Sequence, residues 1–261
     1  MNDQKIQQYG DALYQALDTC KPIEPLTQTD PDITIQDAYQ IQLRMIERRL
    51  ADRKETVVGK KIGVTSKVVM DMLKVNQPDF GHLTSGMVFG DGQAISLNTL
   101  IAPRAEGEIA FVLKRDLTGP GVTAADVIRA TEYVLPCFEI VDSRVRDWKI
   151  KIQDTVADNA SSGVFVLGDA AADPRKIDLS LVGMTLEKNG EILATGAGAA
   201  ALGHPVNAVA WLANTLGSLG MSLRAGEVIL SGSLAAMIPV DTACNLRVTL
   251  GGIGSVGVRF I

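Results

Sequence analysis

Histidine is nearly absent from this chain. His82 and His204 are the only two, so a histidine-based nucleophile triad or a multi-histidine metal site lacks its parts. The three cysteines, Cys20, Cys137 and Cys244, are odd in number, far apart and without CxxC spacing; they point to neither a disulfide framework nor a zinc site, and read as core thiols in a reducing compartment. Basic excess is missing too: 25 Lys+Arg stand against 30 Asp+Glu, a formal charge of −5. No basic stretch interleaved with aromatics offers a footprint for a phosphate backbone, so nucleic acid is not an expected partner. No run approaches the ~18 apolar residues of a membrane span, and the opening MNDQKIQQYGD is polar and acidic, unlike a signal peptide. A cytoplasmic protein without a membrane anchor is expected. What remains, 261 residues of which 46% are hydrophobic and 21% charged, is enough for a sizeable core in one large domain, or a small cap plus a larger body.

The first 75 residues read as mainly helical. Ile6, Tyr9, Leu13 and Leu17 recur at helical spacing; Thr34 and Asp37 resemble a capping box, followed by the apolar face Ile35, Tyr39, Leu43, Ile46 and Leu50. The segment VVGKKIGV predicts a short strand, and Ser66 to about Leu73 a short helix. From about residue 85 the signals become short strands: EGEIAFVL, YVLPCFEIV, GVFVLG, then GMTLEKNGEILATG with Asn189-Gly190 as a hairpin turn, and later EVILSG, NLRVTL and SVGVRF. One helix interrupts them, VNAVAWLANTLG, after Pro205 and ended by Gly217. Helices first and then a β-rich body, without βαβ alternation, favour an α+β fold with a mixed or antiparallel sheet. The boundary is placed between a helical region at 1–80, which carries one pocket-lining strand, and a β-rich catalytic body at 81–261.

The sharpest chemical feature is Arg104-Ala-Glu106-Gly-Glu108 leading into IAFVL. On a strand, i and i+2 share a face, so Glu106 and Glu108 stand side by side; repelling carboxylates of this kind suit a hard cation such as Mg²⁺ or Mn²⁺. A solvated strand face is the simpler account of an ExE. Glu139, set in the buried run VLPCFEIVD, weighs against it, because a buried glutamate needs a partner or a metal. Lys60 and Lys61 share the strand GKKIG, and only one of them can easily face a given pocket; near a cation such a lysine becomes an acid/base candidate, and otherwise it is a surface lysine. Asp79 in NQPDFG is a turn aspartate or a base. The polar loop QDTVADNASSG collects Asp154, Asp158, Asn159, Ser161 and Ser162, suited to a carboxylate or to a metal's waters. Gly196-Ala-Gly198-Ala-Ala-Ala201 matches a dinucleotide fingerprint, but a hairpin precedes it and no acid lies near position 220, so nicotinamide binding is not expected.

Taken in order, GKKIGVTS, QPDFGHL, PRAEGEIAFVL, CFEIVDSR, DTVADNASSG, NGEILATGAGAAALGHP, AGEVILSGS and GSVGVRFI resemble the 2-hydroxypenta-2,4-dienoate hydratase family of meta-cleavage pathways, in the fumarylacetoacetate hydrolase superfamily. The resemblance runs over nearly the whole chain. It implies a mixed β-roll or barrel body, Glu106, Glu108 and Glu139 as Mg²⁺ or Mn²⁺ ligands, and a pocket lined by Lys60, Lys61, Asp79 and Ser161, with Ser233 as a further contributor. The implied reaction is hydration of a small 2-hydroxy-dienoate or 2-oxo-enoate, with Asp79 assisted by Lys60 handling water and proton and Lys61 holding the 2-oxygen. Lys60 and Asp79 together favour hydration over the related 4-oxalocrotonate (2-oxohex-3-enedioate) decarboxylases; acylpyruvate hydrolysis is the other alternative. A homo-oligomer larger than a dimer, and a complex with a homologous decarboxylase, are the implied assemblies.

Overall fold

The computed structural model describes residues 1–261. The Asn2 side chain accepts from Lys5 N–H to start helix α1 (Asp3–Thr19), and after the one-turn α2 (Leu26–Thr29) the expected Thr34–Asp37 capping box starts α3 (Ile35–Arg53). Both long helices end on a left-handed residue, Cys20 and Lys54. Leu13, Ile41 and Met45 are buried between them, together with Val156 and Ala157 from later in the chain.

The remaining chain builds two sheets. Its elements are β1 (Val57–Gly63), α4 (Lys67–Leu73), β2 (Asp79–Thr84), β3 (Val88–Gly90), β4 (Ala94–Ile95), β5 (Arg104–Leu113), α5 (Ala124–Ala130), β6 (Thr131–Val141), α6 (Ile152–Ala157), β7 (Ser162–Leu167), β8 (Gly183–Lys188), β9 (Glu191–Ala197), α7 (Pro205–Ser218), β10 (Val228–Leu230), β11 (Ile238–Pro239), β12 (Cys244–Leu250) and β13 (Gly254–Phe260). The larger sheet is ordered β2-β1-β10-β5-β6-β7-β3, with β11 beside β5; the smaller is β4-β13-β12-β8-β9. Parallel and antiparallel pairs mix, as the α+β reading requires, but neither sheet closes into a barrel. Because β1 and β2 belong to the larger sheet, a boundary at residue 80 falls inside β2; the helical layer ends at Arg53.

The main core fills the space between the sheets. β12 alternates buried and exposed residues along its whole length, and its Leu246 and Val248 share one apolar cluster with Ile109 and Phe111 of β5, Phe138 of β6 and Val209 and Leu216 of α7. Truncating a ring such as Phe111 to alanine typically costs about 3–5 kcal/mol. Gly107 lets the sheets approach: a Cβ there would lie 2.6 Å from Met184 Sδ and 2.8 Å from Val248 Cγ2. The glycine between the two glutamates thus faces the core, which leaves their carboxylates on the opposite face.

Local expectations hold with one adjustment. Asn189 and Gly190 both have positive φ and join β8 to β9 in a tight hairpin. The last long helix runs one residue past Gly217, to Ser218, and the left-handed turn falls on Gly220 instead. No helix is long and apolar enough to cross a membrane.

Candidate active site

The face of the larger sheet turned away from the main core carries the chemistry. In the β5–β6 ladder Glu106 is paired directly with Glu139, and Glu108 with Cys137; period-two alternation then sets Glu106, Glu108 and Glu139 on one face. Their carboxylate oxygens lie within 4.8 Å of one another. Glu108 and Glu139 are fully buried. Glu108 Oε2 accepts from Gly232 N–H at 2.7 Å, but Glu108 Oε1 and both Glu139 oxygens have no hydrogen bond. Burial, reinforced by Glu139, pushes Glu106 up to about 7 and Glu108 well above the usual carboxylate range. Buried, mutually repelling and uncapped hard oxygens are the donor set a divalent cation satisfies, so this cluster can bind a metal ion.

Lys61 and Asp79 complete the group. Lys61 Nζ lies 3.1 Å from Glu139 Oε1, off the hydrogen-bond direction, and donates to the Ala160 carbonyl at 3.0 Å. Burial works against its charge, yet Glu139, Asp79 and the other two glutamates outweigh it and raise its pKa. Asp79 stands opposite Gly63 at the end of the β1–β2 ladder. A Cβ on Gly63 would come within 2.2 Å of Asp79 Oδ1 and 3.3 Å of Lys61 Nζ, so glycine there leaves the two groups room. Asp79 Oδ1 is buried and unpartnered, and burial pushes its pKa up to about 6 against the opposing pull of Lys61. A cavity of about 750 Å³ opens over this group, lined by Lys61, Asp79, Arg104, Glu106, Ser161 and Ser233 among apolar side chains including Val69, Trp148 and Met237.

Lys60 is not at the cavity wall, where the sequence reading placed it. As the strand neighbour of Lys61 it faces the other way, where its Nζ pairs with Glu227 Oε1 at 2.6 Å; it does not line the cavity. Ser161 and Ser233 do line it: Ser161 Oγ lies 3.0 Å from Thr155 Oγ1, and Ser233 Oγ donates to the Ala235 carbonyl at 2.7 Å.

Most of the polar loop is scaffold instead of ligand. Asp154 accepts from Thr27 N–H and Oγ1 at 3.0 and 2.7 Å. Asp158 pairs with fully buried Arg144 at 2.5 Å. Asn159 accepts from His82 N–H at 2.7 Å and donates to its carbonyl at 2.9 Å, extending the edge of β2. These anchors hold Asn159, Ala160 and Ser161 in three successive left-handed conformations, φ 53, 51 and 52°, each of order 1–2 kcal/mol for a non-glycine residue. That strained turn aims the Ala160 carbonyl at Lys61. His82 lies 3.1 Å from Gln42 Oε1 through Nδ1, and His204 Nδ1 accepts from Val206 N–H to cap α7. Gly196 and Gly198 sit at the end of β9, closely packed against the Leu234 and Leu179 carbonyls. Sequence reasoning did not single out Arg104, Trp148 or Thr155; for Arg104 the signal was there, because it lies two residues from Glu106.

Residues 60–260 match the family model described as fumarylacetoacetate (FAA) hydrolase C-terminal. The chain is 55% identical, over 100% of its length and 99% of the relative's, to a 2-hydroxyhexa-2,4-dienoate hydratase of Comamonas testosteroni. It is 63% identical, over 85% of its length and 100% of the relative's, to a 2-hydroxypent-2,4-dienoate hydratase of Pseudomonas putida. Among solved structures, 4-oxalocrotonate decarboxylase from Pseudomonas putida G7, complexed with magnesium and adipate, superposes with a TM-score of 0.96 at 38% identity, covering 100% of this chain and 99% of that one. With the carboxylate cluster on the sheet face opposite the main core and these likenesses running end to end, the chain belongs to the fumarylacetoacetate hydrolase family and, within it, to the hydratase/decarboxylase group.

Proposed function

We propose that this chain is a hydro-lyase that adds water to 2-hydroxypenta-2,4-dienoate to give 4-hydroxy-2-oxopentanoate in the meta-cleavage degradation of aromatic compounds, with Mg²⁺ or Mn²⁺ held by Glu106, Glu108 and Glu139. The observation that carries this reading is the convergence of those carboxylates with Asp79 and Lys61 at one cavity, in a chain 55% and 63% identical to named hydratases. When bound, the cation supplies charge stabilisation for the negative charge that develops on the substrate's C2 oxygen.

Side chains do the remaining work. The dienol is a poor electrophile, so the 2-hydroxyl proton must leave and C5 must gain one before C4 can accept water; C3 is protonated last. Asp79 is the acid/base group for these transfers: it is buried at the cavity wall, its Oδ1 is uncommitted, and its pKa near 6 suits proton exchange near neutrality. Lys61, kept cationic by its carboxylate neighbours, orients Asp79 and polarises the 2-oxygen; the assistance read for Lys60 passes to it. Ser161 offers its hydroxyl to the substrate's oxygens, and Ser233, whose proton goes to the Ala235 carbonyl, offers an acceptor to the 2-hydroxyl.

A cytoplasmic homo-oligomer larger than a dimer completes the proposal, able to associate with a homologous decarboxylase. Exposed Leu181, Ile192 and Leu193, the last two on the edge strand β9, support assembly through the smaller sheet. Decarboxylation is the second reading, favoured by the 0.96 TM-score to the decarboxylase. The deciding experiment incubates purified protein and Mg²⁺ with freshly generated 2-hydroxypenta-2,4-dienoate and identifies the product by NMR. Carbon dioxide release from 2-oxohex-3-enedioate without hydration of the dienoate would establish the decarboxylase instead, and cleavage of an acylpyruvate would establish a hydrolase.

A further inference from the structure

Two cations line the cavity, and they differ in commitment. Lys61 is already engaged by Glu139 and the Ala160 carbonyl. Arg104 has no carboxylate within ion-pair distance, although most other arginines of the chain form such pairs. It lies two residues before Glu106 on β5, on the same face and about 6.6 Å further along the strand, at the cavity wall.

Its side chain is held in place without being neutralised. The guanidinium carbon sits 4.4 Å over the Trp148 ring, and Nη1 is 3.6 Å from Met237 Sδ. The indole is itself fixed: Trp148 Nε1–H donates to the Ala102 carbonyl at 3.0 Å, and the Asp142 carboxylate accepts from Ile101 and Ala102 N–H at 3.0 and 2.7 Å. Asp147 and Trp148 both take left-handed backbone, φ 57 and 55°, which brings the ring under the guanidinium. A guanidinium held over an aromatic ring, with only Nη1 turned to a weak sulfur acceptor, keeps edge donors that can grip a planar carboxylate with two parallel hydrogen bonds.

Building on the proposed hydratase reaction, we propose that Arg104, braced on Trp148, binds the substrate's carboxylate and sets the orientation of the chain of carbons that follows it. The dienoate carries one carboxylate, on C1 next to the C2 oxygen that the proposed metal would serve, and Arg104 is the one cation of the cavity wall not already engaged by a carboxylate, so it is placed to fix that end of the substrate. Arg104 is thus a binding residue that neither the acid/base pair nor the carboxylate cluster includes.

The test compares wild type, R104M and R104K with Mg²⁺ present, reading oxalate affinity by calorimetry beside KM and kcat for the dienoate. R104M keeps the packing on Trp148 but removes the charge; its oxalate Kd and dienoate KM are expected to rise about 10- to 100-fold, with kcat changed far less. R104K keeps the charge and loses the planar fork, and is expected to fall between. If R104M does not fold, judged by its melting transition, R104K alone decides, since a purely structural arginine predicts unchanged oxalate affinity in any folded variant. Wild-type oxalate affinity in the folded variants would overturn the assignment. Failure of wild type to hydrate the dienoate would overturn the reaction reading separately, while the oxalate comparison still decides Arg104.

Discussion

Glu106 and Glu139 are direct cross-strand partners in the antiparallel β5–β6 ladder. Like charges opposite each other weaken a sheet, and the complete burial of Glu139 deepens the penalty. Lys61 stands against them, 3.1 Å from Glu139, and Arg104 acts on Glu106 from two residues away on the same strand face. The pairing persists because the core on the other face fixes the register: Gly107 and Ile109 are seated against the smaller sheet, and a slip of one residue would carry the carboxylates into that core.

Metal removal should therefore cost both activity and stability. Chelator-treated protein is expected to be inactive and to recover with Mg²⁺ or Mn²⁺. At a hundredfold excess over Kd the ion adds about 2.7 kcal/mol, a rise in melting temperature of roughly 5–10 °C for a chain of this size. Glu106→Gln should lose metal affinity and turnover together. Glu108→Gln removes one repelling charge, so the metal-free variant should melt no lower than metal-free wild type, yet show little rise with Mg²⁺. Full activity in rigorously metal-free buffer would end the metal assignment.

Asp79→Asn separates binding from proton transfer. The amide keeps the size of the side chain but cannot act as a base, and loss of general-base catalysis typically costs about 10²–10⁴-fold. Hydration should fall by that order, while oxalate or pyruvate binding with Mg²⁺, read by calorimetry, changes little. Hydration at the wild-type rate would remove Asp79 from the mechanism.

The sequence made the proposed ligands legible for a simple reason: strand alternation puts Glu106 and Glu108 on one face whatever the fold, and Glu139 was conspicuous inside an apolar run. Which of Lys60 and Lys61 faces the site was not legible, because alternation says that they differ but not which side the third strand presents. The β1–β10 pairing settles it, and β10 lies about 170 residues away, at Val228–Leu230. The loop at 154–162 misled for a related reason. Its aspartates and asparagine find partners in Thr27, Arg144 and His82, all remote in sequence, so local composition could not distinguish scaffold from ligand.

The two lysines should now part company on substitution. Lys61→Met removes the cation between Glu139 and Asp79, and turnover is expected to fall at least about 10²-fold. Lys60→Met leaves Glu227 unpaired in a position that is 12% exposed, and breaking a buried pair by removing one partner costs about 3–5 kcal/mol. Its signature should be a lowered urea midpoint with kcat, measured well below the melting temperature, within a few-fold of wild type. A Lys60 variant of normal stability and abolished turnover would restore the role first read for it.

His82 should dominate one part of the acid response. Burial, reinforced by neighbouring Lys60, lowers its pKa from 6.5 to about 4, so in this window the unfolded chain binds a proton that the folded chain does not. A depressed folded-state value means that the stability it contributes is fully present above pH 6.5 and is lost as pH falls toward 4. Each pH unit between those values is worth about 1.4 kcal/mol, so the whole window is of order 3 kcal/mol. His82→Gln, which stays neutral throughout and can still face Gln42, should lack this loss. The measurement is urea unfolding of both proteins at several pH values between 7 and 4: the unfolding free energy of wild type relative to the variant should shrink by that amount on acidification. A difference that stays flat with pH would mean that His82 titrates in the folded protein as it does in the unfolded chain.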